Sequence, residues 1–200
     1  MRVSFKPFSV GPRRPHPPHV PLLPRQSRRS GPAAAPEAPG RDAALRYASW
    51  GWPVAVSPDT PGTVDLDQVF TLWSRLSGAP VLSSCGWAFD VVEADGELGR
   101  KALARLDRLG AGPVPVVLDL ARPERLGFLV RPGSARAIRP WVSWAGSTRL
   151  FSTGQTYELP AAASARRRWL REPAGGLAGR PVLPTAHLVL GALALAPSRV

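Results

Sequence analysis

Phe89-Asp90-Val91-Val92-Glu93-Ala94-Asp95-Gly96-Glu97-Leu98-Gly99 is the stretch that decides the fold. Its first half is apolar and contains the β-branched pair Val91-Val92, which predicts a strand over residues 87–94. Its second half opens a helix over 97–109. Leu98, Ala102, Leu103, Leu106 and Leu109 share one side of that helix, and Gly110 and Gly112 end it. Glu93 and Asp95 sit two apart at the end of the strand, so their side chains project to one face. Two carboxylates so placed can chelate Mg²⁺ or Mn²⁺ through oxygen. Such ions stabilise the attacking and leaving oxygens of a phosphoryl transfer. Asp90 projects to the opposite face and is a poor third ligand. The plain alternative is a pair of solvated loop acids.

Working outward, helical spacing begins near Arg41 with Asp42 as a candidate cap and stops at Gly51. A strand is expected at 52–56. A second helix is expected over 63–76, with Asp65 as its cap and Val69, Phe70, Leu72, Trp73 and Leu76 as its apolar face. Short strands follow at 79–83, 115–120 and 127–130, and a short helix at 134–138. Residues 149–151 and 155–159 read as a late hairpin around Ser152-Thr153-Gly154, and 185–195 as a C-terminal helix. Helices and strands alternate first and hairpin-like strands follow, which predicts an α+β (mixed α/β) domain.

The flanks set bounds on function. Ten of the 24 prolines and seven basic residues against one acid lie in residues 1–40. That stretch is expected to be a disordered Pro/Arg-rich tail with polyproline-II character, and residues 41–197 the folded domain. Each part carries a charge of +6, so the folded part is only mildly basic. Arginine outnumbers lysine 24 to 2, a skew that a GC-rich coding sequence produces without functional demand. Cys85 is the only cysteine, which excludes a disulfide scaffold and any Cys-rich zinc site. No apolar run approaches the ~18 residues of a membrane span. No export signal is apparent, so a cytoplasmic monomer with no membrane role is the expectation.

The ordered motifs resemble the N-terminal domain of bifunctional DNA primase/polymerases, the Prim-Pol branch of the archaeo-eukaryotic primase superfamily. Ala43-Ala44-Leu45-Arg46-Tyr47-Ala48 followed by Gly51-Trp52-Pro53-Val54 is similar to the family's opening helix and first strand. Thr63-Val64-Asp65-Leu66-Asp67-Gln68-Val69 with Trp73 is similar to its second helix. Ala79-Pro80-Val81-Leu82 leads to a turn at Cys85-Gly86. Residues 89–96 and Gly99 then fall where the family has its acid-x-acid metal motif and following glycine. Tyr157-Glu158-Leu159-Pro160 resembles the segment near the domain's end, and Trp169-Leu170 and Pro173 follow as they often do in short stand-alone members. The resemblance covers roughly residues 42–195. It implies a primase/polymerase-type core with an RRM-like sheet flanked by helices, and metal-dependent, template-directed nucleotidyl transfer. Its partners would be a DNA or RNA template, nucleoside triphosphates and a helicase. Glu93 and Asp95 would be the catalytic and metal carboxylates, with Mg²⁺ or Mn²⁺ as cofactor, and Gly96 would form the turn beneath the site.

The chain departs from that pattern. Glu93 stands where the family has aspartate, residues 125–130 lack the family's phosphate-contacting histidine, and no third acid is evident beyond residue 125 except Glu158 and Glu172. Weak or absent polymerase activity is therefore expected. The alternatives are a non-catalytic nucleic-acid or nucleotide binder, and an accessory protein recruiting a partner through its Pro-rich tail. Arg166-Arg167-Arg168 with Trp169 is the densest basic cluster of the folded part. It is a candidate nucleic-acid grip, guanidiniums on phosphates and indole on a base, against the plainer reading of a solvated helix start. Trp50, Trp52, Trp73, Trp87, Trp141 and Trp144 are expected in core or boundary packing, Cys85 as an inert thiol, and His187 as an ordinary helix residue.

Overall fold

The structure, a computed structural model, describes residues 39–121, 123–144, 148–162, 164, 166–175 and 179–195. All of them fall in one compact unit, Pro36–Val200. The tail expected over 1–40 lies outside the described residues up to position 38. Helix α1 (Pro39–Ser49) begins before Arg41, and Asp42 sits inside its first turn rather than at its cap. Proline suits the first helical position because the N–H it lacks has no partner there. Gly51, at φ 78°, turns the chain out of the helix. β1 is short (Val54–Ala55), and α2 (Leu66–Arg75) starts where Asp65 accepts the backbone N–H groups of Asp67 and Gln68 at 2.9 and 3.1 Å. A cap of this kind stabilises a helix by about 1 kcal/mol. Only part of the expected apolar face of α2 is covered. Val69 and Trp73 are buried, whereas Phe70 and Leu76 are half exposed, with the Arg41 guanidinium 5.0 Å from the Phe70 ring centre.

β2 (Val81–Ser84) pairs antiparallel with β1 and with β7 (Thr156–Leu159) to make a three-stranded sheet. The larger sheet is built by β3 (Asp90–Asp95), α3 (Gly96–Arg108), β4 (Val116–Asp119), β5 (Arg125–Val130), α4 (Ser134–Ile138) and β6 (Arg149–Phe151). A 3-10 turn over Arg139–Trp144 follows α4. Its strand order is β6-β3-β5-β4, closed at the β4 edge by β8 (Arg167–Arg171), and every pairing is antiparallel. This βαββαβ connectivity is the ferredoxin-like arrangement, and the domain is an α+β fold. Helix α5 (Ala186–Ala194) completes it. No helix among the described residues is long and apolar enough to cross a membrane.

Alternation along the strands divides the core in two. Val92 and Ala94 of β3, Leu126, Phe128 and Val130 of β5, and Val116 and Leu118 of β4 pack with Ala102 and Leu106 of α3 and with α4 and α5. Gly99 lets α3 lie close to β5, since a Cβ there would stand 2.8 Å from Leu126 Cβ. The opposite face (Val91, Val117, Leu129) packs with Tyr47, Trp52, Val69, Trp73, Phe89, Tyr157 and Leu159. Each large apolar side chain fully buried in these clusters contributes about 1.5–3 kcal/mol.

Three expectations are corrected. Residues 149–151 and 155–159 form no hairpin: β6 joins β3 in the larger sheet and β7 joins β2 in the smaller one. Gly154 turns the chain at φ 85° and sends it from one sheet to the other. Residues 167–171 form a strand rather than a helix, because β4 offers an open edge that pairs with them. Trp87 is 75% exposed and takes no part in the core, unlike Trp52 and Trp73. The side chains of Trp141 and Trp144 lie outside the described ones.

Candidate functional site: a row of acids and arginines between two sheets

The registers put Asp95 opposite Arg125, Arg125 opposite Asp119, and Asp119 opposite Arg167. Residues paired across antiparallel strands share a face. Four strands therefore carry one row that reads acid, base, acid, base, on the face turned toward the smaller sheet. Glu93, two residues before Asp95, lies on the same face opposite Gly127.

Glu93 is buried, and its Oε2 meets Arg125 Nε at 2.7 Å. A second Arg125 nitrogen, Nη2, donates to the Glu93 carbonyl at 3.4 Å. Asp119 is 2% exposed and takes more donors: Arg166 Nε at 2.8 Å, Arg166 Nη2 at 3.1 Å, Arg167 Nη2 at 3.2 Å and the Ala121 N–H at 2.9 Å. Burial pushes the Asp119 carboxyl up, but the Arg166 hydrogen bonds, the Ala121 N–H and the two guanidinium charges outweigh it and hold the group below the usual carboxylate range. Arg167 also donates to the Glu158 carbonyl at 2.9 Å and lies 4.2 Å from the centre of the Tyr157 ring. Glu158 accepts from the Ser164 hydroxyl at 3.0 Å. Tyr157 is buried above Gly127, where any Cβ would collide with its hydroxyl. That hydroxyl has no hydrogen-bond partner among the described residues, and burial pushes its pKa up.

Asp95 caps α3, its Oδ1 accepting the Leu98 N–H at 3.0 Å. Gly96 is the first residue of that helix, and its N–H donates to the Glu124 carbonyl at 2.8 Å. A Cβ at Gly96 would stand 3.1 Å from Arg100 Nη1 and 3.3 Å from Glu124, so the glycine permits close approach of the β4–β5 connection rather than a sharp turn beneath metals.

The divalent cation implied for Glu93 and Asp95 does not fit these residues as they are arranged. The Glu93 carboxylate faces a guanidinium, and a divalent cation on it would meet that positive charge at close range. Asp95 uses one oxygen on a helix terminus. No group of three or more His, Cys, Asp or Glu able to hold a metal occurs among the described residues.

The cluster expected to grip nucleic acid lies at the other side of Asp119. Arg166 leads into β8, Arg167 turns inward to Asp119, and Arg168 is exposed. A cleft of about 760 Å³ opens between α1 and β8, lined by Asp42, Arg46, Arg167, Arg168, Trp169 and Glu172 among others. Trp169 is fixed in it: its indole N–H donates to the Tyr47 hydroxyl at 2.9 Å, and that hydroxyl donates to the Pro160 carbonyl. Burial pushes Tyr47 up to about 12. Arg46 lies over the Tyr47 and Trp50 rings and 3.6 Å from Glu172.

Other candidates resolve simply. Cys85 is buried, and that burial and Asp90 push its thiol up to about 12, which disfavours the thiolate. His187 is exposed on α5. Arg100 grips Glu124 at 2.6 Å, Lys101 pairs with Glu97 at 2.8 Å and Arg105 donates to the Leu195 carbonyl at 3.2 Å. Asp119 and Arg125 were not singled out from sequence. A signal existed for Asp119, since it ends the run Val116-Val117-Leu118 much as Glu93 and Asp95 end theirs. Arg125 had none, because its role comes from strand register. Comparison of the chain with family models, with characterised proteins and with solved structures found no match in any of the three.

Proposed function

We propose that the chain is a nucleic-acid-binding module on a primase/polymerase-like sheet, in which arginines hold the carboxylates and nucleotidyl transfer is weak or absent. The observation that carries this reading is the division of labour among the arginines. Arg125, Arg166 and Arg167 are each matched to a buried acid, whereas Arg168 is exposed, has no ion-pair partner among the described residues, and lines the cleft beside Trp169. A guanidinium and an indole on one strand supply the two attractions that single-strand binders use: charge for the phosphates and a π-face for the base. Trp169 is already ordered by its bond to Tyr47, which lowers the cost of binding. Asp42 and Glu172 also line the cleft and disfavour phosphate beside them, which leaves the Arg168 side as its place.

Fluorescence anisotropy with a labelled single-stranded oligonucleotide over a salt series tests the reading. Affinity should fall linearly with salt on a log–log scale, by about 0.7 per phosphate contacted, and Arg168→Glu should weaken it. A primed template supplied with nucleotides and Mn²⁺ should show no extension. Extension above the protein-free control would restore the catalytic reading, and failure to bind the oligonucleotide would overturn the proposal.

A further inference from the structure

Trp87 is the most exposed large apolar side chain described, and it stands on a turn that cannot fold it away. Gly86 sits at φ 88°, its N–H donates to the Phe89 carbonyl at 2.8 Å, and the Cys85 N–H donates to the Gln155 carbonyl at 2.8 Å. Cys85 and Phe89, on either side, are buried, and Thr153 is packed so closely on Gly86 that no Cβ would fit. The Asp90 carboxylate fastens this turn to the next element. It accepts the Ala135 N–H at 3.0 Å and lies beside the backbone N–H groups of Gly133 and Gly86. Arg136 on α4 and Arg139, one turn later, are both exposed. Arg139 Nη2 donates to Ser152 Oγ at 3.3 Å, next to the Thr153 that backs Gly86. Trp87 on one segment and Arg136 and Arg139 on another are thus carried by backbone tied together, directly through Asp90 and through the segment that holds Ser152 and Thr153. The only acid in residues 84–90, 131–140 and 149–156 is Asp90, which is buried. The exposed ring stands on the turn before β3, to which α4 is fastened through Asp90, and the acid–arginine row lies at the strand's far end.

We infer that Trp87, flanked by Arg136 and Arg139, is a second contact for single-stranded nucleic acid, one base stacking on the indole and adjacent phosphates meeting the guanidiniums. The inference rests on the nucleic-acid reading above and adds a site to it. A single strand is the fitting partner because an unpaired base offers its face to a protruding ring, whereas a duplex keeps its bases stacked inside. An exposed ring held on a rigid turn loses little freedom when it binds.

Anisotropy with an oligodeoxythymidine of about 15 nucleotides, long enough for a single-strand site, compares the wild-type protein with Trp87→Ala, Trp87→Phe, Arg136→Glu/Arg139→Glu and Arg168→Glu. Trp87→Ala should weaken binding about tenfold and leave the melting temperature unchanged, since the side chain is exposed. Trp87→Phe should retain most of the affinity. The double arginine variant should flatten the salt slope by about 1.4 units, two contacts at about 0.7 each. Wild-type affinity in Trp87→Ala, with binding weakened in Arg168→Glu, would overturn this inference alone. No oligonucleotide binding by the wild-type protein would overturn both readings. Sedimentation with anionic vesicles that needs Trp87, in the absence of oligonucleotide binding, would overturn it in favour of a lipid surface.

Discussion

Two buried aspartates mark opposite ends of the larger sheet, and they are satisfied in opposite ways. Asp119 is met by two guanidiniums and one backbone N–H, whereas Asp90 is met by backbone N–H groups alone, and one of its oxygens has no hydrogen-bond partner. Burial raises the Asp90 carboxyl above its usual range and the backbone donors only partly offset it, while Asp119 is held low. The lesson is that one residue type, equally hidden, ties loops together at one end and neutralises arginines at the other. Only the second arrangement makes a polar interior. That interior includes Glu93, one of the two acids expected to hold a metal, paired with Arg125 at 2.7 Å.

The largest expected effect comes from unbalancing the arginine end. Arg125→Ala should lower stability by about 3–5 kcal/mol in urea unfolding, because it leaves the Glu93 carboxylate buried and unpaired. Replacing both partners by Met should recover most of that loss. A loss under ~1 kcal/mol for the single variant would mean that Glu93 reaches water. Next in size is Gly127→Ala, expected to destabilise by about 1–3 kcal/mol through displacement of the Tyr157 ring. Tyr157→Phe removes the colliding, unpartnered hydroxyl and should rescue part of the loss, which a double-mutant cycle measures.

A pH series sharpens the comparison directly. With its folded pKa depressed, Asp119 contributes stability that is present above its unfolded pKa and lost as pH falls through the folded value. Asp119→Asn should therefore blunt the loss of stability on acidification. With its folded pKa raised, Asp90 contributes stability that is present below its unfolded pKa and lost as pH rises through the folded value. Asp90→Asn should abolish that decline, the amide oxygen keeping the Ala135 N–H bond. Identical pH profiles for the two variants would erase the distinction between the ends. The smallest effect is expected at Arg168→Glu, within about 0.5 kcal/mol in stability because the side chain is exposed.

What could be read in the sequence follows from how local each signal is. The β3–α3 unit was legible, because Val91-Val92 and the Leu98/Ala102/Leu106 spacing are complete within one segment, although Asp95, read there as a metal ligand, turned out to cap the helix. Helix α2 and its Asp65 cap were legible for the same reason. β8 was not, since Arg167, Trp169 and Arg171 alternate with Arg168 and Leu170 without an apolar face, and the strand exists because β4 pairs with it. Glu93 and Asp95 could be seen to share a face. Their occupation by Arg125 and a helix terminus could not, because it depends on which strand lies alongside.

The border strand β8 has one more consequence. It closes the sheet with arginine at positions 167, 168 and 171, so a second copy laid antiparallel along that margin would bring cation against cation. The arginines of that margin therefore oppose the protein zipping onto itself edge to edge.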